Sequence, residues 1–124
     1  SLRANVPGLS ENIRVRSILG RFLEHSRVFA FHNDGDPVVY IGSADMMHRN
    51  LDRRVEALVP IKNEEDKRGL IELMDRYLSD GTSSWHQEQD GTWTRVHKDA
   101  EGNRLMDIQE YLLKTRSRRG TPNA

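Results

Sequence analysis

An α/β fold is predicted, a mixed β-sheet packed by a few helices, ending in a polar hairpin and a helix. Three observations predict it. Short alternating runs crowd the first half of the chain: IRVRSI, RVFAFH, VVYIGSA and RRVEALVPI. Apolar residues at helical spacing appear only after residue 62. Clusters of Asn, Asp, Gly and Pro separate the runs. Strands first and helices later suggest a sheet covered on one or both faces by helices.

The elements follow in order. Pro7-Gly8 marks a turn. IRVRSI (13–18) reads as a half-buried strand with Arg14 and Arg16 on one face. LGRFLEHS (19–26) suits a short helical turn. RVFAFH (27–32) is aromatic and β-branched, hence strand. Residues 33–37, Asn-Asp-Gly-Asp-Pro, turn the chain into VVYIGSA (38–44), giving a hairpin. MMHRNLD (46–52) is a loop or short helix, and RRVEALVPI (53–61) is a strand ended near Pro60. Asn63 is a helix cap with Asp66 three residues on. The helix over 63–81 places Leu70, Ile71, Leu73, Met74, Tyr77 and Leu78 on its inner side. Trp85 to Arg95 forms a hairpin around Asp90-Gly91, with Trp85 and Trp93 as cross-strand partners. LMDIQEYLLKTR (105–116) is an amphipathic helix with Leu105, Ile108, Tyr111 and Leu112 facing inward. The tail SRRGTPNA is expected to fray.

The chain has 124 residues, enough for one domain (1–124) with one core. It is 31% charged and 35% hydrophobic, polar for a globular domain but not disordered. Net charge is zero, so composition gives no push toward nucleic acid or anionic membranes. Arginines 3, 14, 16, 21, 27, 49, 53 and 54 crowd the first half, and no lysine occurs before Lys62. Arginine suits forked contacts to oxyanions, although solvated surface arginines are as ordinary a reading. Without cysteine, disulfides and cysteine-based zinc sites are excluded, and a cytoplasmic setting is the default. No run approaches a membrane span. Ser1 is not a natural start, so the chain is expected to be cut from a larger protein.

The candidate site lies in three places. In a strand starting near Glu24, His25 and Arg27 point the same way, together with Phe29 and Phe31. A cation there neutralises oxyanion charge while the imidazole attacks phosphorus or trades a proton. Gly42-Ser43-Ala44-Asp45 closes the next strand. Gly42 lets the backbone approach closely, and Ser43 can bond a phosphate oxygen or a ring nitrogen. Arg54 and Glu56 share one face of a third strand, Arg54 suiting a phosphate and Glu56 an imidazole. A histidine at a strand start is more often structural, and GSA is a common turn composition. The joint spacing H-x-R, G-S-x-D and R-x-E singles the three segments out. His32, His48, His86 and His97 receive no role. No two histidines sit at i, i+4 with a carboxylate, so a metalloprotease-like site is unsupported.

The spacing H-x-(K/R) followed by G-S-x-(N/D) resembles one half of the phospholipase D superfamily fold. Arg27 stands where lysine is usual, and Asp45 where asparagine is usual. Those departures match one branch. VPGLSENIRVRSILGRFLEHSR (6–27), YIGSADMMHRNLDRRVE (40–56) and LVPI (58–61) resemble the C-terminal domain of polyphosphate kinases of the first type. The match covers residues 3–61, and 62–80 fit the following helix.

That resemblance implies reversible transfer of the terminal phosphate of ATP to polyphosphate with Mg²⁺. The reaction would run through a phosphohistidine held by an upstream domain, this chain being the second, phospholipase D-like half. His25 falls on the accessory catalytic histidine, and Arg54 and Glu56 on a tunnel-lining arginine and its neighbour. Arg27 and Ser43 would be phosphate-side contacts, Asp45 and Glu56 orienting groups, with Glu56 holding His25. Mg²⁺ would be bound mainly outside this chain. Implied partners are ATP or ADP, polyphosphate, the upstream domains and further copies in a homo-oligomer, with no nucleic acid. The setting would be cytoplasmic, with membrane association allowed. The isolated chain is expected to be inactive and to expose apolar surface. Two other readings are a homodimeric phosphodiesterase or nuclease of the same superfamily, and a non-catalytic polyanion-binding domain.

Overall fold

The computed structural model describes residues 2–119, and for 116–119 the backbone alone. In chain order it contains β1 (Arg16–Ile18), β2 (Val28–Phe31), β3 (Val38–Gly42), α1 (His48–Arg53), β4 (Leu58–Pro60), α2 (Glu64–Leu78), β5 (Ser84–Gln87), β6 (Trp93–Val96) and α3 (Ile108–Arg119). They fall into two compact units. One takes the chain up to Leu23 and again from Tyr77, and the other is Glu24–Arg76. The expected mixture of strands and few helices is present. The single mixed sheet is not: the strands form two three-stranded sheets, ordered β1-β5-β6 and β2-β3-β4, and every pairing is antiparallel. Antiparallel neighbours satisfy the backbone groups, two pairs as hairpins and β1 with β5 from distant parts of the chain, so no parallel crossover is needed.

In the first unit, β1 pairs with β5 from Arg16↔His86 to Ile18↔Ser84. It is shorter than the alternation over 13–18 predicts, because the backbone of Ile13 is taken by Ser10 and Asn5. Residues 19–26 do not form the expected helical turn. Their polar backbone groups find other partners. Leu19 N donates to Ser83 O at 3.0 Å. The buried Gln109 amide clamps Phe22 from both sides, accepting from its N–H at 3.0 Å and donating to its carbonyl at 2.9 Å. A backbone so engaged cannot also close an i→i−4 ladder. Trp85 and Trp93 are not opposed. Trp85 faces Arg95 and Trp93 faces Gln87, and the Arg95 guanidinium lies 5.9 Å from the Trp85 ring centroid.

The last helix begins at Ile108 rather than Leu105. Asp107 is the reason. Its Oδ1 accepts from the N–H groups of Gln109 and Glu110 at 2.9 and 3.0 Å, and its Oδ2 accepts from Ser83 Oγ at 2.8 Å. Leu105 therefore lies ahead of the helix, its N–H bonded to His97 O at 3.0 Å. Ile108 is buried, and Tyr111 and Leu112 are half-buried as expected. The helix continues to Arg119, so the first residues of the expected frayed tail are helical. Residues 120–124 of that tail, and Ser1, lie outside the described residues.

In the second unit, β2 and β3 pair from Val28↔Ile41 to Phe31↔Val38. The turn between them holds Asn33 and Asp34 at φ 47° and 54°, a left-handed conformation that Asn and Asp tolerate. β4 pairs with the far edge of β3. It spans only Leu58–Pro60 because α1 extends through Arg53. Arg54 is extended but precedes the strand. Most of α2 belongs to this unit. Asn63 caps it, its Oδ1 accepting from Glu65 N and Asp66 N at 2.9 and 3.0 Å. Leu70, Ile71, Leu73, Met74 and Tyr77 are half-buried, whereas Leu78 is 56% exposed. Among the described residues, Ala4, Val39 and Ile108 are the buried hydrophobics, while Val55, Leu23, Leu9 and Met46 are open to solvent.

Replacing Asn63 with Ala should lower stability by about 1 kcal/mol, and with Gly by only a few tenths, because both orphan N–H groups lose their acceptor. Urea denaturation of the two variants checks this.

Candidate functional site

The site is built where β2, β3 and the approach to β4 meet, all within Glu24–Arg76. The β2–β3 ladder extends one step past the strands, Gly42 N donating to Arg27 O at 3.1 Å. Arg27 therefore sits beside the GSAD segment. Its Nε donates to Asp45 Oδ1 at 2.8 Å, and its Nη1 donates to the carbonyl of His25. The His25 imidazole is exposed. Arg27 thus reaches toward the site mainly by fixing the backbone at His25.

Gly42 marks a close backbone approach. A Cβ there would lie 2.8 Å from Ala57 O and 2.7 Å from a methyl group of Leu58. Immediately afterwards Ser43 N donates to Ala57 O at 3.1 Å, and Ala57 N donates back to Ser43 Oγ at 3.1 Å. The Ser43 hydroxyl proton goes to Glu56 Oε2. A serine has one proton to donate, and here Glu56 receives it.

Glu56 is engaged as well. Its carboxylate takes Ser43 on one oxygen and Asn50 Nδ2, at 2.9 Å, on the other. Arg54 Nε lies 3.8 Å from Oε1. Among the described residues, these groups are the ones Glu56 meets. Arg54 and Glu56 lie in the segment between α1 and β4, not in a strand, and their side chains still approach each other. Arg54 remains 61% exposed. The structure therefore brings together Arg27 with Asp45, and Ser43 with Glu56 and Arg54. It leaves His25 beside them, tied through its backbone.

Asn50 was missed. It lies in MMHRNLD, a segment without strong period, and only the folding of α1 buries it to 3% exposure. Arg49 was also missed as a site residue. Its charge, with those of Arg27 and Arg54, bears on Asp45. His48 is instead paired with Asp52 on the α1 surface at 3.2 Å. His86 lies 3.0 Å from Asp80, which also meets Arg16 at 3.1 Å. No three His, Asp or Glu side chains among the described residues converge to hold a metal. The two carboxylates of the site are already bonded. These residues do not fit a resident magnesium site.

The arrangement can present arginine charge to an oxyanion. Arg27, by its hydrogen bond and then its charge, holds Asp45 below the usual carboxylate range despite partial burial. Ser43 first and Asn50 second do the same for Glu56. Both groups keep their charge into mild acid.

A carboxylate with a depressed folded pKa stabilises the fold above its unfolded pKa, near about 4, and the contribution is lost as pH falls through the folded value. Stability should therefore be level above about pH 5 and fall below about pH 4. Asp90 and Asp99, also depressed, add to that fall. Asp45→Asn should shrink the acid loss without removing it. Thermal melting between pH 3 and 7 measures both.

Comparison with known proteins shows the family. Residues 1–107 match the family described as polyphosphate kinase C-terminal domain 2. The polyphosphate kinase of Streptomyces coelicolor is 61% identical over 119 residues, which is 96% of this chain and 16% of that protein. The polyphosphate kinase of Thermosynechococcus vestitus is 54% identical over 112 residues, covering 90% of this chain and 15% of that protein. The crystal structure of polyphosphate kinase from Porphyromonas gingivalis superposes with a TM-score of 0.79 at 29% identity, covering 92% of this chain and 18% of that one. The chain thus spans about a sixth of the length of the relatives it matches. No helix among the described residues is long and apolar enough to cross a membrane. With the family matched over residues 1–107, this chain belongs to the polyphosphate kinase C-terminal domain 2 family.

Proposed function

We propose that the chain supplies one side of the catalytic site of a polyphosphate kinase, which moves the terminal phosphate of ATP to polyphosphate and back. Arg54 carries the reading. It is an exposed guanidinium whose neighbouring carboxylate is already bonded by Ser43 and Asn50. Its forked donors are therefore open to a polyanion. Arg27 is weaker in that role, because its nearest carboxylate is hydrogen-bonded at 2.8 Å.

In the first step a histidine nitrogen of an upstream domain bonds to the terminal phosphorus of ATP, and the bond to the bridging oxygen breaks, releasing ADP. In the second a terminal oxygen of polyphosphate displaces the histidine. Such transfers need charge neutralisation and in-line placement. Arg54, with Arg49 whose charge also bears on Asp45, would hold phosphate oxygens. His25 would contact the moving phosphoryl group or give a proton to the leaving oxygen. Asp45 and Arg27 would fix the backbone from which His25 projects. Mg²⁺ would travel with the phosphates or sit on other domains. Homo-oligomerisation, a cytoplasmic setting and a phospholipase D-like pairing of two related halves belong to the same proposal.

The test is ATP formation from ADP and polyphosphate with Mg²⁺, using the chain alone and mixed with separately made upstream domains. Activity in the mixture only is expected. Activity in the chain alone would place a nucleophile here and defeat the split-site reading. Binding of polyphosphate without turnover in a mixture shown to associate would favour a polyanion-binding domain.

Two variants of the full-length enzyme refine it. His25→Ala should lower kcat by about 100-fold or more, the range of general acid–base loss, with an unchanged circular dichroism spectrum. Arg54→Ala should raise KM for polyphosphate about 10- to 100-fold, the value of a charge-assisted contact, and flatten its dependence on salt. Wild-type kinetics in either variant would remove that residue from the site.

A further inference from the structure

Asn50 carries a cost that nothing described above explains. It is 3% exposed. Its Nδ2 donates to Glu56 Oε1 at 2.9 Å, while its Oδ1 is buried without a hydrogen-bond partner. The orientation of the amide is forced, because turning it over would set its oxygen against the carboxylate. A buried acceptor left unpaired works against stability, and an aliphatic side chain of similar volume would remove that penalty. A residue kept in spite of such a penalty is sought first among functional sites. The other end of the amide supplies the reason. Glu56 bonds Ser43 through Oε2 and faces Arg54 through Oε1. Ser43 in turn closes onto Ala57. Asn50 is therefore the buried anchor of a chain that ends at the exposed arginine.

We propose that Asn50 is a positioning residue, whose buried amide fixes the Glu56 carboxylate and through it the aim of Arg54 toward a polyphosphate oxyanion. The identity of the anion rests on the polyphosphate kinase reading; the link from Asn50 to Glu56 does not. Asn50 touches no substrate and acts only through Glu56. Its effect should appear in binding of the polyanion more than in the chemical step. Losing the amide donor also relaxes one of the two hydrogen bonds that hold the Glu56 carboxylate in its charged form.

The experiment uses Asn50→Leu, which keeps the volume and removes the orphan oxygen, and Asn50→Asp, which keeps the shape and sets a second carboxylate against Glu56. In the full-length enzyme, each should raise KM for polyphosphate about tenfold, one hydrogen bond's worth, with a smaller change in kcat. Asn50→Leu should melt at the wild-type temperature or above it. The carboxyl carbon of Glu56, followed by NMR in the chain, should titrate at higher pH in both variants. Combined with Arg54→Ala, Asn50→Leu should add no further loss, because both act through one contact. A Glu56 titration unmoved in both variants would overturn the proposal. So would additive losses with Arg54→Ala, or loss of activity that only follows loss of stability. A shifted Glu56 titration in an enzyme inactive on polyphosphate would support the Asn50–Glu56 link and defeat the kinase reading alone.

Discussion

Ser43 closes the gap between β3 and the segment leading into β4, and the candidate site depends on that closure. Its backbone N–H extends the ladder to Ala57 O, and its hydroxyl accepts the return bond from Ala57 N. The hydroxyl proton then reaches Glu56. One side chain so continues a sheet where the strands have formally ended, and delivers a carboxylate to the sheet's rim. The closeness of the two backbones leaves no room for a Cβ at position 42, so the glycine before Ser43 follows from the same approach. Asn50 and Arg54 take their places from Glu56 in turn.

The arginines sort by what already holds them. Arg27 is bound by Asp45 in a hydrogen-bonded pair and by the His25 carbonyl, so its charge serves the local fold. Arg95 lies against Trp85 and donates to Thr82 O at 2.9 Å. Arg16 approaches Asp80 at 3.1 Å and is largely covered. Arg54 is the contrast, exposed and 3.8 Å from a carboxylate that other donors hold. In the proposed reading, an incoming polyanion would meet that exposed guanidinium. Zero net charge is thus compatible with a locally basic rim.

Among the described residues few hydrophobic side chains are fully buried. Much of the conformation is held instead by polar groups at fixed points: Gln109 on Phe22, Asp107 on Ser83 and the start of α3, Asn63 on α2, Ser43 on Ala57. Such bonds are each modest in net energy but costly to leave half-made. They set register where apolar area alone would leave it loose.

By itself the sequence determined the elements whose signals are local. Alternation gave β2 within a residue and β3 within two, Asn63 gave the start of α2, and Asp90-Gly91 gave the second hairpin. The motif spacing also determined the family resemblance, and with it the residues His25, Arg54 and Glu56 to watch. Only the tertiary structure decided how those residues are used. It divided the strands into two antiparallel sheets, because pairing partners are chosen by distant backbone groups. It undid the helical turn at 19–26, because Gln109, nearly ninety positions away, takes the backbone of Phe22. It shifted the last helix to Ile108, because Ser83 fixes the Asp107 cap. It spent the Ser43 proton on Glu56 and buried Asn50 behind it. Periodicity and spacing state which face a residue can occupy. A hydrogen bond's single donor is assigned only when every competing acceptor has its place in space.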